Sequence, residues 1–406
     1  MRISQRAQRV EPFYVMELAK AAADMAAGAR PGDRPMITLN IGEPDFTAPP
    51  LVQLAAERAI HDGRSQYTAA TGLPALRRVI SGWYAARFGL DIDPGRIVIT
   101  AGASAALQLA CLALIEAGDE VLMPDPSYPC NRQFVQAAEG KAVLIPSGPA
   151  ERFQLSAAHV EAAWTPATRG VLLASPSNPT GTSIARDELE RIARFVRERG
   201  GVTLVDEIYL GLSYEDAYGH SALGLPDGLG DDVISINSFS KYFNMTGWRL
   251  GWLVLPPALV PVVERLAQNL FICASTIAQH AALACFEPES LAEFERRRAE
   301  FKARRDYFIP ELNRLGLTVP VMPDGAFYAW ADVSGLCGRW GIPPQGARAD
   351  EGGSWALAFE LMKRCQLATT PGRDFGSADP GRYLRFSTAN SMAQLREAVA
   401  RLEAAL

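Results

Sequence analysis

An α/β fold is the class this 406-residue sequence predicts: a large domain with a mainly parallel sheet of seven-stranded type between helices, then a smaller α+β C-terminal domain. Three observations predict it. Short β-branched runs recur through the middle of the chain, helical patterns separate them, and the pattern changes after Pro257. Runs that are apolar on both faces belong in a sheet covered on both sides, and strands spaced by helices belong in a parallel one.

The elements follow in order. RIVIT (96–100) runs into the small-residue turn AGAS and then a helix, AALQLACLALIEAG. EVLMP (120–124) and KAVLIP (141–146) are strands, each ended by proline. GVLLASP (170–176), a helix from about Arg186 to Arg199, VTLVDE (202–207), DVISINS (232–238) and GWLVLPP (251–257) complete the sheet. Strand order is not readable from this pattern. A long helical stretch is expected from about Pro261 past Arg305, interrupted only near Pro288. LTVPVM, AFYAWADV and YLRFSTA read as strands of the second domain. Residues 334–353, rich in Gly and Pro, are expected to form a mobile loop. The large domain is placed at 48–275 and the small one at 276–406, with residues 1–47 packing on the small domain or a partner subunit.

Composition excludes several function classes. A formal charge of −5 without a basic run argues against nucleic acid or an anionic membrane as partner. No apolar stretch reaches transmembrane length, and the N-terminus lacks a signal-peptide core, so a cytoplasmic protein is expected. Six scattered cysteines without a CxxC pair read as reduced thiols, and four isolated histidines give no metal site.

Ligands in such folds bind beyond the C-terminal ends of the strands, where this chain's unusual polar residues fall. AGAS (101–104) is either a plain turn or a helix N-terminus open to an anion, with Ser104 adding a hydroxyl. Tyr128, between two prolines, either packs or lays its ring on a flat ligand. SNPTG (177–181) holds up Asn178, an amide that both donates and accepts. Asp206 ends an apolar run, with Tyr209 three residues on, and either caps a helix or meets a cation. Ser238, Ser240 and Arg249 suit a phosphate dianion. Lys241 lies among them, where neighbouring cations and partial burial would lower its pKa and free the amine for Schiff-base formation. Gly247 is expected to let the chain fold back so that Arg249 reaches the same anion. A flat aromatic ligand with a phosphate, an aldehyde and a basic ring nitrogen answers all of these, and pyridoxal 5′-phosphate carries each group.

Across nearly its whole length the sequence resembles the class I/II aminotransferases of the aspartate aminotransferase superfamily, the fold type I pyridoxal-phosphate enzymes. IGEPDF, QYTAATGLPALR, AGASAAL, PSYP, SNPTG, DEIY, SFSK with Arg249 eight residues on, DGAFY and YLRFS occur in that order. The resemblance implies that Lys241 holds the cofactor and shuttles the proton, that Asp206 pairs with the ring nitrogen, and that Tyr209 and Asn178 donate to the phenolic oxygen. It implies that Tyr128 stacks on the ring. The amides of Ala103 and Ser104, with Ser238, Ser240 and Arg249, would hold the phosphate, and Tyr67 would reach the phosphate of a partner subunit in a homodimer. Gly42, Asn178 and Arg385 would bind the substrate carboxylate. The implied reaction moves an amino group between an L-amino acid and a 2-oxo acid by a ping-pong route, with 2-oxoglutarate/glutamate as one pair.

Two other readings share these residues. A C–S β-lyase or synthase would use the same cofactor contacts, whereas a non-enzymatic pyridoxal-phosphate sensor would need a helix-turn-helix and a basic face. An aspartate preference is not implied: Ser104 stands where one dicarboxylate-specific branch places a lysine, and the partner-subunit arginine that the other branch borrows has no counterpart identified in this sequence. Neutral, aromatic or alanine-like donors fit as well. Cys130, near Tyr128, either borders the cofactor or packs.

Overall fold

The computed structural model describes residues 1–28, 30, 32–344 and 352–406. Its strands, in chain order, are β1 (Ile37–Thr38), β2 (Ile97–Thr100), β3 (Glu120–Asp125), β4 (Lys141–Pro146), β5 (Thr168–Ala174) and β6 (Val202–Asp206). They continue with β7 (Ile234–Ser238), β8 (Gly251–Val254), β9 (Tyr328–Asp332), β10 (Leu367–Ala368), β11 (Thr370–Pro371) and β12 (Tyr383–Ser387). Seven form one sheet in the order β2-β8-β7-β6-β5-β3-β4, in which only β8 runs antiparallel to its neighbours.

The strands are apolar on both faces because both faces are covered. Val121 and Met123 of β3, with Leu204 of β6, pack into the layer formed by helix Gly102–Leu114 and helix Val260–Leu270. Leu122 and Val205, pointing the other way, pack with Leu189, Ile192 and Val196 of helix Arg186–Glu198. Alternate residues therefore fill opposite layers, as the period of two requires. At the β2–β8 edge, Ile97, Ile99, Trp252 and Val254 join a third cluster around Trp83, Tyr84 and Phe243. Ala278, Ala281 and Ala282 of helix Thr276–Leu283 belong to the same cluster.

A second core lies in the C-terminal part. β12 is the central strand of an antiparallel three-stranded sheet with β11 and β9. Leu384 and Phe386 of β12 pack there with Phe308, Leu312, Leu361 and Leu395. Leu18, Ala22, Ile37 and Leu39 of the N-terminal segment share that core, and β1 pairs parallel with β10.

Three expectations need correction. The long helical stretch is three helices, Val260–Leu270, Thr276–Leu283 and Pro288–Arg314. The unforeseen break comes where Ile272 adopts a positive φ of 66° and Ser275 caps the next helix, accepting from the Ala278 N–H. LTVPVM is not a strand: Thr318 makes only an isolated bridge to Asp332, the Val319 N–H is taken by the Asn313 side chain, and Pro320 has none to give. The stretch 334–353 begins as helix Ser334–Arg339, its first N–H held by Asp332 Oδ1, while residues 345–351 lie outside those described.

Candidate active site

Strands β2, β3, β5, β6 and β7 point their C-terminal ends at one cavity of about 320 Å³. The residues expected to act together line it: Ala103 and Ser104 after β2, Tyr128 after β3, Asn178 after β5, Asp206 and Tyr209 from β6, and Ser238, Ser240, Lys241 and Arg249 after β7. Gly42 and Arg385 close the other side. Tyr67 is absent from this group, standing 82% exposed on the surface of the chain.

The end of the cavity at Arg249 is built from close backbone approach. Helix Gly102–Leu114 has no side-chain cap at its start, so its first N–H groups remain available. Gly102 sits at φ 80°, and a Cβ there would lie 2.7 Å from Arg249 Nη2. A Cβ on Gly251 would meet the Ala103 N–H at 2.9 Å. Only glycines let the guanidinium and the helix start share this corner. The turn that returns Arg249 is not made by Gly247, which does not adopt a positive φ. Asn244 and Arg249 themselves take the left-handed conformation, each at φ 51°. Asn244 holds that turn by donating to the Lys241 carbonyl at 2.9 Å, and Arg249 Nη1 donates to the Thr246 carbonyl at 3.0 Å. Ser238 Oγ accepts from the Ser240 N–H at 3.0 Å.

Adjacent carboxylates at the end of β6 differ sharply. Glu207 accepts from Ser221 Oγ, the Ala222 N–H and Ser235 Oγ, so its burial is compensated within the protein. Asp206 is 3% exposed, and among the described residues only the Ile208 N–H, at 3.2 Å, donates to it. Burial, with the nearby Glu207 charge adding, pushes its pKa up to about 7, against the Ile208 hydrogen bond and the Lys241 charge. Lys241 Nζ donates to the Gly42 carbonyl at 2.6 Å. Its pKa is lowered to about 8, chiefly by burial and then by Arg385, with Arg249 adding.

At the far wall Arg385 is buried. Its Nη1 donates to Asn178 Oδ1 at 2.8 Å and its Nη2 to the Asn40 carbonyl at 2.7 Å. Tyr209 and Tyr328 share a hydroxyl contact of 2.6 Å, and burial raises both phenols. Tyr328 also explains Gly42, since a Cβ there would come within 2.7 Å of its hydroxyl.

Some lining residues escaped the sequence reading. Tyr328 lies within DGAFY, and Asn40 and Ile41 directly precede Gly42, so those motifs pointed nearby. Phe13, Met16 and Ala19 reach the cavity from helix Tyr14–Ala27 and its approach, and no local signal marks them.

At the strand ends of this doubly wound α/β fold an amine, a buried acid and a helix N-terminus meet in one cavity, the place where ligands bind in such folds. The chain belongs to the aminotransferase class I and II family, whose model matches residues 34–402. Members of that family depend on pyridoxal 5′-phosphate and have the type I fold seen here. The chain is 37% identical to a valine–pyruvate aminotransferase of Mycobacterium tuberculosis, over 97% of this chain and 96% of that one. It is 35% identical to an aspartate aminotransferase of Rhizobium meliloti, over 98% and 95%. A crystal structure of an aminotransferase from Mycobacterium tuberculosis superposes with a TM-score of 0.90 at 37% identity, covering 100% of this chain and 99% of that one. The protein is a transaminase. No helix among the described residues is long and apolar enough to cross a membrane.

Proposed function

We propose that this enzyme binds pyridoxal 5′-phosphate through Lys241 and moves an amino group between an L-amino acid and a 2-oxo acid in two alternating half-reactions, with 2-oxoglutarate/glutamate as one pair. The observation that carries this reading is Asp206: beside Glu207, which accepts three hydrogen bonds, it is a buried carboxylate with no ion pair among the described residues, and it fits a protonated ring nitrogen. Bound there, the cofactor would supply an aldehyde for the amino group and a conjugated ring that takes up the electron pair of the Cα–H bond.

The chain's own residues would do the rest. Asp206 keeps the ring nitrogen protonated. Lys241, its pKa lowered to about 8, takes and returns the proton at Cα, since a base of pKa close to working pH transfers protons most effectively. Tyr209 and Asn178 donate to the phenolic oxygen, and Tyr128 covers the ring. The Ala103 and Ser104 N–H groups, Ser238, Ser240 and Arg249 hold the phosphate. Arg385 and Gly42 orient the α-carboxylate, with Asn178 fixing the guanidinium plane. We further propose a cytoplasmic homodimer in which the exposed Tyr67 reaches the partner's phosphate site.

Borohydride reduction of the loaded enzyme followed by peptide mapping tests the anchor: the label is expected on Lys241. A label on another lysine, or Lys241→Ala retaining turnover, would overturn the assignment. Transfer from a donor to 2-oxoglutarate, read through the absorbance of the bound cofactor, tests the reaction.

A further inference from the structure

Tyr328, the first residue of β9, is buried in the cavity wall at 2% exposure. Its ring stands edge-on to that of Tyr209, with centroids 5.6 Å apart, and the two hydroxyls lie 2.6 Å from each other. Neither hydroxyl has another hydrogen-bond partner among the described residues. Gly42 leaves the Tyr328 hydroxyl its space.

A tyrosine hydroxyl has one proton to donate, so one of the pair donates and the other accepts. The surroundings of each ring set the direction. The Arg385 guanidinium lies over the Tyr328 ring, 4.5 Å from its centroid, while the cation at the Tyr209 ring, Lys241 Nζ, is farther off at 5.7 Å. Burial raises both phenols. At Tyr328 the Arg385 charge opposes the rise, whereas at Tyr209 the neighbouring Tyr328 adds to it, with Tyr128 adding less and Arg385 opposing. Of two phenols the stronger acid is the better donor. Tyr328 therefore donates, and the proton of Tyr209 is left for the cavity.

We propose that Tyr328 is a positioning residue: its hydroxyl donates to Tyr209 and so turns the Tyr209 proton towards the phenolic oxygen of the cofactor. This rests on the transaminase reading and adds a residue to its site. Linked hydrogen bonds polarise one another, so Tyr209 donates more strongly while it accepts from Tyr328. A donor on the phenolic oxygen favours its anionic form and lowers the pH at which the bound cofactor takes up a proton.

The test is the pH midpoint of the bound cofactor's absorbance, read without amino donor in the wild type, Tyr328→Phe, Tyr209→Phe and the double variant. Phenylalanine keeps each ring in the wall and removes one oxygen. Tyr328→Phe should raise the midpoint by about half a pH unit, and Tyr209→Phe by about one to two units. Adding Tyr328→Phe to Tyr209→Phe should change nothing, because the first residue acts only through the second. A midpoint that Tyr328→Phe leaves in place, or shifts equally with and without the Tyr209 hydroxyl, would overturn the role of Tyr328 and leave the transaminase standing. A borohydride label absent from Lys241 would instead overturn the underlying reading.

Discussion

Arg385 of β12 donates to Asn178 of the turn after β5 at 2.8 Å, so one buried hydrogen bond ties the C-terminal sheet to the strand ends of the large sheet. The guanidinium plane is set by this bond and by the Asn40 carbonyl. Arg385→Lys removes the fork and leaves a point charge. Its kcat/KM for any amino donor should fall on the order of 10²-fold, about 3 kcal/mol. Steady-state kinetics check this, with a cofactor absorbance spectrum that stays unchanged before donor is added.

Asp206 makes the cofactor-free protein pH-sensitive. Its folded pKa of about 7 lies above that of an ordinary carboxyl, so the native state keeps a proton that the unfolded state has lost. The contribution is full below about pH 4 and is lost as pH rises through about 7, worth on the order of 4 kcal/mol by linkage. Urea unfolding at pH 5 and pH 8 should show the wild type losing stability relative to Asp206→Asn across that interval.

Lys241 acts with the opposite slope at higher pH. A folded pKa of about 8 means that the native state releases its proton before the unfolded state does. Stability should therefore rise from about pH 8 towards pH 10 in the cofactor-free wild type and stay flat in Lys241→Met. The gap between the two, on the order of 3 kcal/mol at pH 7, should narrow over that range.

Gly102 and Gly89 separate backbone strain from site geometry. Both have positive φ, but a Cβ at Gly89 meets nothing within 4 Å, whereas one at Gly102 meets Arg249. Gly89→Ala and Gly102→Ala should each cost about 1–2 kcal/mol in unfolding free energy. Only Gly102→Ala should also weaken pyridoxal-phosphate affinity, by on the order of tenfold as one charge-assisted hydrogen bond is misplaced. Cofactor titration by fluorescence reads the difference.

Tyr67 tests the assembly. Tyr67→Phe should weaken cofactor affinity several-fold while leaving the proposed dimer intact by sedimentation, because only its hydroxyl would reach the partner's phosphate. Unchanged affinity would remove Tyr67 from the site.

Local pattern was enough for the seven strands of the large sheet, though not for the two-residue strands β1, β10 and β11. Each strand of that sheet needed only a short apolar run, and five of the seven carried a polar residue at the C-terminal end or a few positions later, so Asn178, Asp206 and Lys241 could be named without coordinates. Longer-range features were not legible in this way. The break after Leu270 depends on the conformation of Ile272, and the failure of LTVPVM depends on Asn313 reaching back to Val319.

The amino-acid sequence by itself determined the fold class, the parallel sheet and which polar residues, Asn178, Asp206 and Lys241 among them, stand at the strand ends, because periodicity and turn chemistry act over a few neighbours. Only the tertiary structure decided that Glu207 is satisfied while Asp206 is not, that Asp374 seats a helix 360 residues away, and that the Tyr209 and Tyr328 hydroxyls come together. Those relations depend on which distant surfaces meet when the two cores close. No short stretch of chain carries that information.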